Sequence, residues 1–245
     1  CHCAVPTVEE RPCRNTAYGV NVPLTPLVGN GSQRNTEKVV MSEREHWQRV
    51  YESKPSDAVS WFQAEATLSL DLIRRIGAPR EAAIIDVGGG ASTLVDGLLA
   101  EGFGDLTVLD LSDAALRVAR NRLGARGEEV RWIAGDITGV DLPEATYDVW
   151  HDRAVFHFLT TAEARRAYVR QVMKAVRHGG HVIVATFAAD GPTECSGLPV
   201  MRYDADELHA EFGSAFQLTE HRDEHHVTPA GRVQHFVYCH CLKRL

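Results

Sequence analysis

The residues best suited to chemistry surround three consecutive glycines, Gly88, Gly89 and Gly90. They follow a short apolar segment that contains Asp86, and they precede a helical pattern that begins at Thr93. Glycine lacks a Cβ and tolerates positive φ, so the chain can bend off a strand here and present main-chain N–H groups to a ligand. The pattern predicts a cofactor-binding loop, although a tight structural turn has a similar composition.

Two more acids stand at the ends of the next two predicted strands. Asp110 lies twenty residues beyond Gly90, and a carboxylate there can accept hydrogen bonds from both hydroxyls of a ribose. Asp136 can accept a hydrogen bond from the exocyclic amine of an adenine. Because ligands of such sheets bind outside the carboxyl ends of the strands, Asp86, Asp110 and Asp136 together outline a nucleoside site.

Two cofactors fit a nucleoside site beside a glycine turn. A nicotinamide dinucleotide needs Gly-x-Gly-x-x-Gly around its pyrophosphate, and the last of these positions is Thr93. S-adenosylmethionine has no phosphate and ends in a zwitterionic amino acid, so it needs an acid just before the glycines, which Asp86 supplies. This favours S-adenosylmethionine. The predicted contacts are Asp86, Gly88, Gly89, Gly90, Ser92, Thr93, Asp110, Leu111, Asp136 and Ile137.

The elements that carry these residues alternate between strand and helix. Strands are predicted at 84–87, 105–109, 130–134, 147–151 and 181–187, and helices at 93–101, 113–123 and 161–177, the last opened by a Thr160…Glu163 capping box. A helix at 204–212 precedes two strands, 216–227 and 232–242. The alternation predicts an α/β fold with a doubly wound parallel sheet and helices on both faces, closed by an antiparallel hairpin.

An aromatic region precedes the first strand. Ser42 and Glu45 form a predicted capping box, and Trp47 and Tyr51, four residues apart, share one face of the helix that follows. Trp61 adds a second aromatic position, next to Phe62, before a helix at 64–76. Aromatic residues at helical spacing more often form core than ligand contacts.

Composition sets the outer limits. The 245 residues predict an N-terminal extension at 1–41, a tail or a wrapping segment, and one domain at 42–245 with a helical lid region, 42–78, before its core, 79–245. No apolar run or leader pattern indicates a membrane partner, which favours a cytoplasmic protein. The net charge of −7, with scattered basic residues, disfavours a nucleic-acid partner.

Six cysteines include two Cys-His-Cys triplets, at 1–3 and 239–241. Structural zinc sites place two or more residues between paired cysteines, so we expect free thiols and no metal. Cys239 and Cys241 are expected to share one face of a strand.

Asp86-Val87-Gly88-Gly89-Gly90-Ala91-Ser92, with Asp110, Asp136 and the closing hairpin, resembles the class I S-adenosylmethionine-dependent methyltransferases over roughly residues 42–242. The resemblance implies a Rossmann-like sheet of seven strands with the last antiparallel, and S-adenosylmethionine as methyl donor. Ser92 replaces the last glycine of the family's Asp-x-Gly-x-Gly-x-Gly motif.

A narrower resemblance concerns the acceptor. Trp47-x-x-x-Tyr51, Trp61-Phe62 and Asp152-Arg153-Ala154 are similar to two subgroups of that family. One is the thiopurine S-methyltransferase-like group, which acts on small thiols and has Asp-Arg-Gly-Ala; the other acts on lysines of elongation factor or citrate synthase and has Asp-Lys-Gly. Both have glycine where Ala154 stands. Family precedent adds four residues to the predicted cofactor contacts: Trp47, Tyr51, Trp61 and Phe62.

The sulfonium is an activated donor, so alignment and exclusion of water are the main demands on the protein. A thiol acceptor needs no base, whereas an amine or hydroxyl does, and His151 and His157 are the candidate bases. Asp152 and Arg153 either bind the acceptor or pair with each other. We therefore expect methyl transfer to a small-molecule acceptor, led by a thiol or another heteroatom. The alternatives are a protein lysine and a silent cofactor-binding protein.

Overall fold

The structure, a computed structural model, describes residues 41–245. Except for Met41, the predicted extension at 1–41 lies outside the described residues, as do Cys1, Cys3 and Cys13. None of the described helices is long and apolar enough to cross a membrane. The other predicted elements all fall within residues 41–245 and can be compared with the structure.

A mixed sheet of seven strands organises this part of the chain, in the order β3-β2-β1-β4-β5-β9-β8. Its strands are β1 Ala83–Val87, β2 Asp105–Asp110, β3 Val130–Ala134, β4 Tyr147–Arg153, β5 Val176–Phe187, β8 Phe216–Val227 and β9 Val233–Lys243. β1 to β5 pair in parallel, whereas β9 runs antiparallel to both β5 and β8. The strand order reverses between β1 and β4, which is where open α/β sheets bind ligands. The predicted seven-stranded sheet with an antiparallel last strand is confirmed.

Helices cover both faces of the sheet, as predicted. They are α1 Glu43–Ser53, α2 Thr67–Ile76, α3 Leu94–Ala100, α4 Asp113–Leu123, α5 Ala162–Ala175 and α6 Ala205–Phe212. Successive side chains of a strand point to opposite faces, and Ile84 and Ile85 accordingly belong to two different apolar clusters. Leu98 of α3 packs in the cluster of Ile84, and Leu208 of α6 packs in that of Ile85.

Two local predictions are wrong. The N-cap of α5 is Thr161, whose side chain accepts from the N–H of Ala164, because Thr160 is taken up by a preceding turn in which its N–H bonds to Phe158. β5 begins at Val176 rather than at residue 181, because Gly179 adopts a φ of 74° and lets the strand bulge where its register with β4 shifts.

Other local predictions are confirmed. Ser42 and Glu45 form the capping box of α1, and the closing hairpin pairs Val227 with Val233. Cys239 and Cys241 lie buried in one apolar cluster, on the same face of β9. The described residues also include a small hairpin that was not predicted, formed by β6 Glu194–Cys195 and β7 Leu198–Pro199.

Candidate active site

Asp86 lies near the carboxyl end of β1 and is 4% exposed. Its Oδ1 is 2.7 Å from Nδ1 of His151, the residue opposite it on β4. Its Oδ2 is buried and has no hydrogen-bond partner among the described residues. A buried carboxylate oxygen without a partner is costly, so this atom is a ready acceptor for a ligand that carries a positive charge.

The glycine turn leaves no room for side chains. A Cβ on Gly89 would clash with Oδ2 of Asp86, and one on Gly90 would clash with Oδ2 of Asp110. Gly88 has a φ of 71°, and a Cβ there would overlap the side chain of Val155. These glycines therefore let the backbone approach both acids closely.

The other two acids order the turns that follow their own strands. Oδ1 of Asp110 accepts a hydrogen bond from the N–H of Ser112 at 2.7 Å, and Oδ1 of Asp136 accepts from both the N–H and the hydroxyl of Thr138. Burial raises the pKa of Asp110 to about 7 against the opposing effect of the Ser112 hydrogen bond, and repulsion from Asp86 adds to the rise. The charge of Asp110 is therefore sensitive to pH near neutrality.

Two pockets lie over these strand ends, with empty volumes of about 550 and 790 Å³. They share four lining residues and therefore adjoin: Tyr51, Trp61, Gly88 and Arg153. The first contains Asp86 and the glycine turn, and the second contains Asp110 and Asp136. Apart from Gly90, every predicted cofactor contact lines one of them, including Trp47, Phe62, Ser92, Thr93, Leu111 and Ile137.

An aromatic cluster, formed by Trp47, Tyr51, Trp61 and Phe158, contributes to the walls of these pockets. Trp47 makes edge-to-face contacts with Trp61 and Phe158 at centroid distances of 5.5 and 5.1 Å. Nε1 of Trp61 donates to the hydroxyl of Tyr51 at 3.1 Å. The cluster ties α1 to the segment between α1 and α2 and to the residues after β4, so three parts of the chain meet at the pockets.

Helix α1 is also tied to the turn between β2 and α4. Oε1 of Gln48 accepts hydrogen bonds from the hydroxyl of Ser112 and from the N–H of Ala114, both at 3.2 Å. Ser112 is the N-cap of α4 and stands two residues after Asp110. The position of α1 therefore depends on the same turn that Asp110 orders.

The Arg153 side chain is held by residues far away in the sequence. Its Nη2 lies 2.9 Å from Oε2 of Glu224, and its Nε lies 2.8 Å from the hydroxyl of Tyr238. Its guanidinium also sits over the ring of Phe236, 4.2 Å from the centroid. Nη1 makes a single longer bond, 3.3 Å to the carbonyl of Trp61, and this leaves donor capacity near the pockets that Arg153 lines.

The predicted pairing of Asp152 with Arg153 is wrong, because neighbours on a strand point to opposite faces. Asp152 is fully buried, where it accepts from the N–H groups of Val155 and Phe156 and from the hydroxyl of Tyr168. Burial raises its pKa to about 7, although the Tyr168 hydrogen bond opposes the rise. Asp152 lines neither pocket and shapes the turn after β4 instead.

The two candidate bases are placed very differently. His151 lines the first pocket, with Nδ1 toward Asp86 and Nε2 at 2.8 Å from the hydroxyl of Ser69. His157 is fully buried, accepts from the N–H of Phe187 at 3.3 Å, and lines neither pocket. Burial lowers the pKa of His157 to about 3. The structure thus brings His151 and Arg153 to the pockets but leaves Asp152 and His157 away from them.

Comparisons with known proteins agree with this geometry. Residues 84–180 match a family model described as a methyltransferase domain. An eEF1A lysine and N-terminal methyltransferase from Mus musculus is 23% identical over 139 residues, which is 57% of this chain and 20% of that protein. The chain thus spans about a fifth of the length of this relative.

Solved structures with the same fold have TM-scores above one half. One of them was solved in work on the conversion of a disulfide bond into a thioacetal group during echinomycin biosynthesis. It has a TM-score of 0.65 and 20% identity to this chain, and the match covers 82% of this chain and 92% of that chain. A Burkholderia thailandensis 1,6-didemethyltoxoflavin-N1-methyltransferase, with 1,6-didemethyltoxoflavin and S-adenosylhomocysteine bound, has a TM-score of 0.56 and 22% identity, covering 74% and 78%.

Residues 84–180 carry a methyltransferase domain, and the comparisons together support a class I S-adenosylmethionine-dependent methyltransferase. S-adenosylmethionine is the cofactor of this family, so the predicted family and cofactor are both confirmed. The residues present suit that cofactor. Oδ2 of Asp86 offers an acceptor for an ammonium, and the glycines leave space beside it. Asp110 and Asp136 offer acceptors for hydroxyls and an amine.

Sequence reasoning missed several residues of this methyltransferase that line or brace the pockets. Cys195 of β6 is buried and lines the second pocket, and Glu43 lines it from α1. Ser69, Glu224 and Tyr238 bond to His151 or Arg153. None of them lies in a local motif, and only the pairing of distant strands and helices places them here.

Proposed function

We propose that the protein transfers the methyl group of S-adenosylmethionine to a small acceptor whose nucleophile is a thiol or a comparably soft heteroatom. One observation supports this proposal most. Among the described residues that line the two pockets, His151 is the single imidazole, and both of its nitrogens are already hydrogen-bonded. A thiol forms its nucleophilic thiolate near neutral pH without a base, whereas an alkyl amine stays protonated there and has no free lone pair.

We assign Asp86 to the ammonium of the cofactor, Asp110 to its ribose hydroxyls and Asp136 to its adenine amine. The assignment is supported by the unpartnered Oδ2 of Asp86 and by the positions of Asp110 and Asp136 in the second pocket. When bound there, S-adenosylmethionine supplies a methyl group on a positively charged sulfur, which is a good leaving group.

The remaining demands fall on the acceptor side. The guanidinium of Arg153, which lines both pockets, favours the thiolate over the thiol by direct charge attraction. The aromatic cluster excludes water and offers apolar walls to a soft nucleophile. A thiolate acceptor would already carry the lone pair that the methyl group needs, so no residue of the pockets would have to take a proton during the transfer.

Two solved structures with the same fold are consistent with a small acceptor. Their sequence identity to this chain is low, so the proposal does not depend on them. One has the small molecule 1,6-didemethyltoxoflavin bound, and the other concerns sulfur chemistry, a disulfide converted into a thioacetal. Both cover more than seven-tenths of this chain.

A second candidate acceptor is the side-chain amine of a protein lysine. The curated relative from Mus musculus bears the name of a lysine methyltransferase. In addition, the exposed carboxylate of Glu43 lines the second pocket together with Trp47 and Trp61, and an acid beside aromatic rings suits a cationic side chain. This candidate ranks second because the amine would have to lose its proton without a free imidazole in the pockets.

The deciding experiment measures the release of S-adenosylhomocysteine with panels of thiol, amine, halide and metalloid acceptors. We expect turnover with at least one small thiol, and loss of that turnover in Asp110→Ala. A labelled donor incubated with cell lysate provides the second arm. Label in a protein band with no thiol turnover would favour lysine. Tight binding of cofactor without product in either arm would favour a silent binding protein.

A further inference from the structure

Three buried side chains form a continuous hydrogen-bonded line beneath the first pocket. Oδ1 of Asp86 lies 2.7 Å from Nδ1 of His151, and Nε2 of His151 lies 2.8 Å from the hydroxyl of Ser69. The three residues are 4%, 3% and 1% exposed, respectively, and all of them line that pocket. This relay, Asp86–His151–Ser69, is thus shielded from bulk water but adjoins the place assigned to the cofactor.

The relay joins three separate elements of the fold. Asp86 and His151 are register partners on the parallel strands β1 and β4, so their side chains project from the same face. Ser69 comes from the first turn of α2 and reaches the far nitrogen of the imidazole. A helix is thereby connected to the cofactor acid through a single ring.

Both hydrogen bonds act on the orientation of the Asp86 carboxylate. With Oδ1 held by His151, the carboxylate cannot rotate freely, and Oδ2 remains as its unpartnered oxygen among the described residues. The imidazole itself is fixed because Ser69 holds its other nitrogen. Groups that are held in place before a ligand arrives lose less freedom on binding.

We propose that His151 and Ser69 are positioning residues, which lock the carboxylate of Asp86 so that its second oxygen meets the ammonium of the cofactor. This inference rests on the cofactor assignment of the proposed function, but not on the identity of the acceptor. It gives His151 a role other than general base toward the acceptor, because Ser69 rather than the acceptor occupies the far nitrogen of the imidazole.

The test compares two ligands that differ only at the amino-acid end. S-adenosylhomocysteine carries the ammonium, whereas 5′-methylthioadenosine lacks the whole amino-acid group. Calorimetry of His151→Leu should show affinity for S-adenosylhomocysteine weakened on the order of 10- to 100-fold, as expected when a hydrogen bond to a charged group is lost. Affinity for 5′-methylthioadenosine should change by no more than about twofold.

Two further variants keep the test independent of misfolding. Ser69→Ala removes only one hydroxyl and should weaken binding of S-adenosylhomocysteine by roughly 3- to 10-fold, in line with a neutral hydrogen bond. His151→Asn keeps a donor toward Asp86 and should recover part of the loss. Equal losses for both ligands in Ser69→Ala, or unchanged affinity for S-adenosylhomocysteine in His151→Leu, would overturn the inference.

The order serine, histidine, aspartate is also that of a nucleophilic hydrolase, and the experiment includes that possibility. Covalent labelling of Ser69 by a fluorophosphonate would count against a positioning role.

The positioning role and the proposed function can be disproved independently of each other. If the wild type binds neither ligand, the proposed function fails, whereas an empty acceptor screen with the expected binding losses leaves the positioning role supported.

Discussion

The two sides of the pocket region are built in different ways. On the side assigned to the cofactor, the two acids proposed for the nucleoside bond locally: Asp110 to Ser112 and Asp136 to Thr138, each pair two residues apart. On the acceptor side, the bonds join distant parts of the chain, since Arg153 and Glu224 are 71 residues apart. The cofactor side can thus be recognised in a short stretch of sequence, whereas the acceptor side exists only after folding.

Glu224 illustrates how the acceptor side is assembled. It accepts hydrogen bonds from Arg153 on β4, from Tyr238 on β9 and from Gln63, which precedes α2 and is 161 residues away. Nearby, Nε2 of His226 lies 2.8 Å from the carbonyl of Ser60. The closing hairpin therefore braces the segment between α1 and α2, which carries Trp61 of the aromatic cluster. Five predictions test whether the two sides of the pocket region are independent.

The largest effect is expected for Asp110→Ala. The loss of charge-assisted hydrogen bonds to a ribose should weaken S-adenosylhomocysteine binding by about 100-fold or more. Calorimetry measures this, and Asp105→Ala at the exposed start of the same strand is the matched control. Unchanged binding in Asp110→Ala would show that Asp110 does not contact the ribose. It would also show that the cofactor side cannot be recognised from this short stretch of sequence.

Gly89→Ala should have the next largest effect. The added Cβ would clash with Oδ2 of Asp86 and with Val108, so the acid must move out of place. We expect roughly 10- to 50-fold weaker binding of S-adenosylhomocysteine, the cost of a misplaced charged hydrogen bond. Gly104→Ala is the control, because a Cβ there meets nothing within 4 Å. Similar affinities in both variants would contradict the need for bare backbone at this turn.

Cofactor affinity should rise with pH through about 7. Burial raises the pKa of Asp110 to about 7 in the free protein, so its carboxyl is protonated below that pH and loses an acceptor for the ribose. If the ionised form binds, affinity should increase up to about tenfold between pH 6 and 8 and level off above. Titrations with 5′-methylthioadenosine measure this, and a slope that survives in Asp110→Asn would assign it to another group.

Glu224→Gln should separate the two sides of the site. It removes the charged partner of Arg153 and weakens the brace on the aromatic segment, so the KM of the acceptor should rise about fivefold. Binding of S-adenosylhomocysteine should stay within about twofold. Glu220→Gln, four residues earlier on β8, is the control. Equal losses in acceptor KM and cofactor binding would show that the two sides are not independent.

The smallest effect concerns Ala154, which stands where the resembling subgroups have glycine. It has a φ of 73°, a left-handed conformation that disfavours any side chain, and it lines the second pocket. Ala154→Gly should stabilise the fold by about 1 kcal/mol and raise the melting temperature by about 2–4 °C. Ala145→Gly relieves a similar strain, φ 45°, away from the pockets. Changed acceptor preference only in Ala154→Gly would show that its methyl group shapes the acceptor side.

Much of the fold could be predicted because its signals are local. The strand and helix patterns gave α4 at 113–123 and β3 at 130–134 with the bounds that the structure has. The bulged start of β5 was missed because it depends on the register with β4. The hairpin β6–β7 was missed because each of its strands has only two residues and shows no alternating pattern. Likewise, spacing predicted a pair between Asp152 and Arg153 that strand alternation forbids.

The amino-acid sequence by itself determined the fold class and the cofactor and predicted the turn assigned to that cofactor, because a strand, an acid and three glycines stand within a few residues of each other. Only the tertiary structure decided where the candidate catalytic residues lie and what they contact. It placed His151 between Asp86 and Ser69, buried His157, and set Arg153 against Glu224. These contacts depend on which distant side chains come together when the sheet forms, and no local sequence pattern encodes such long-range contacts.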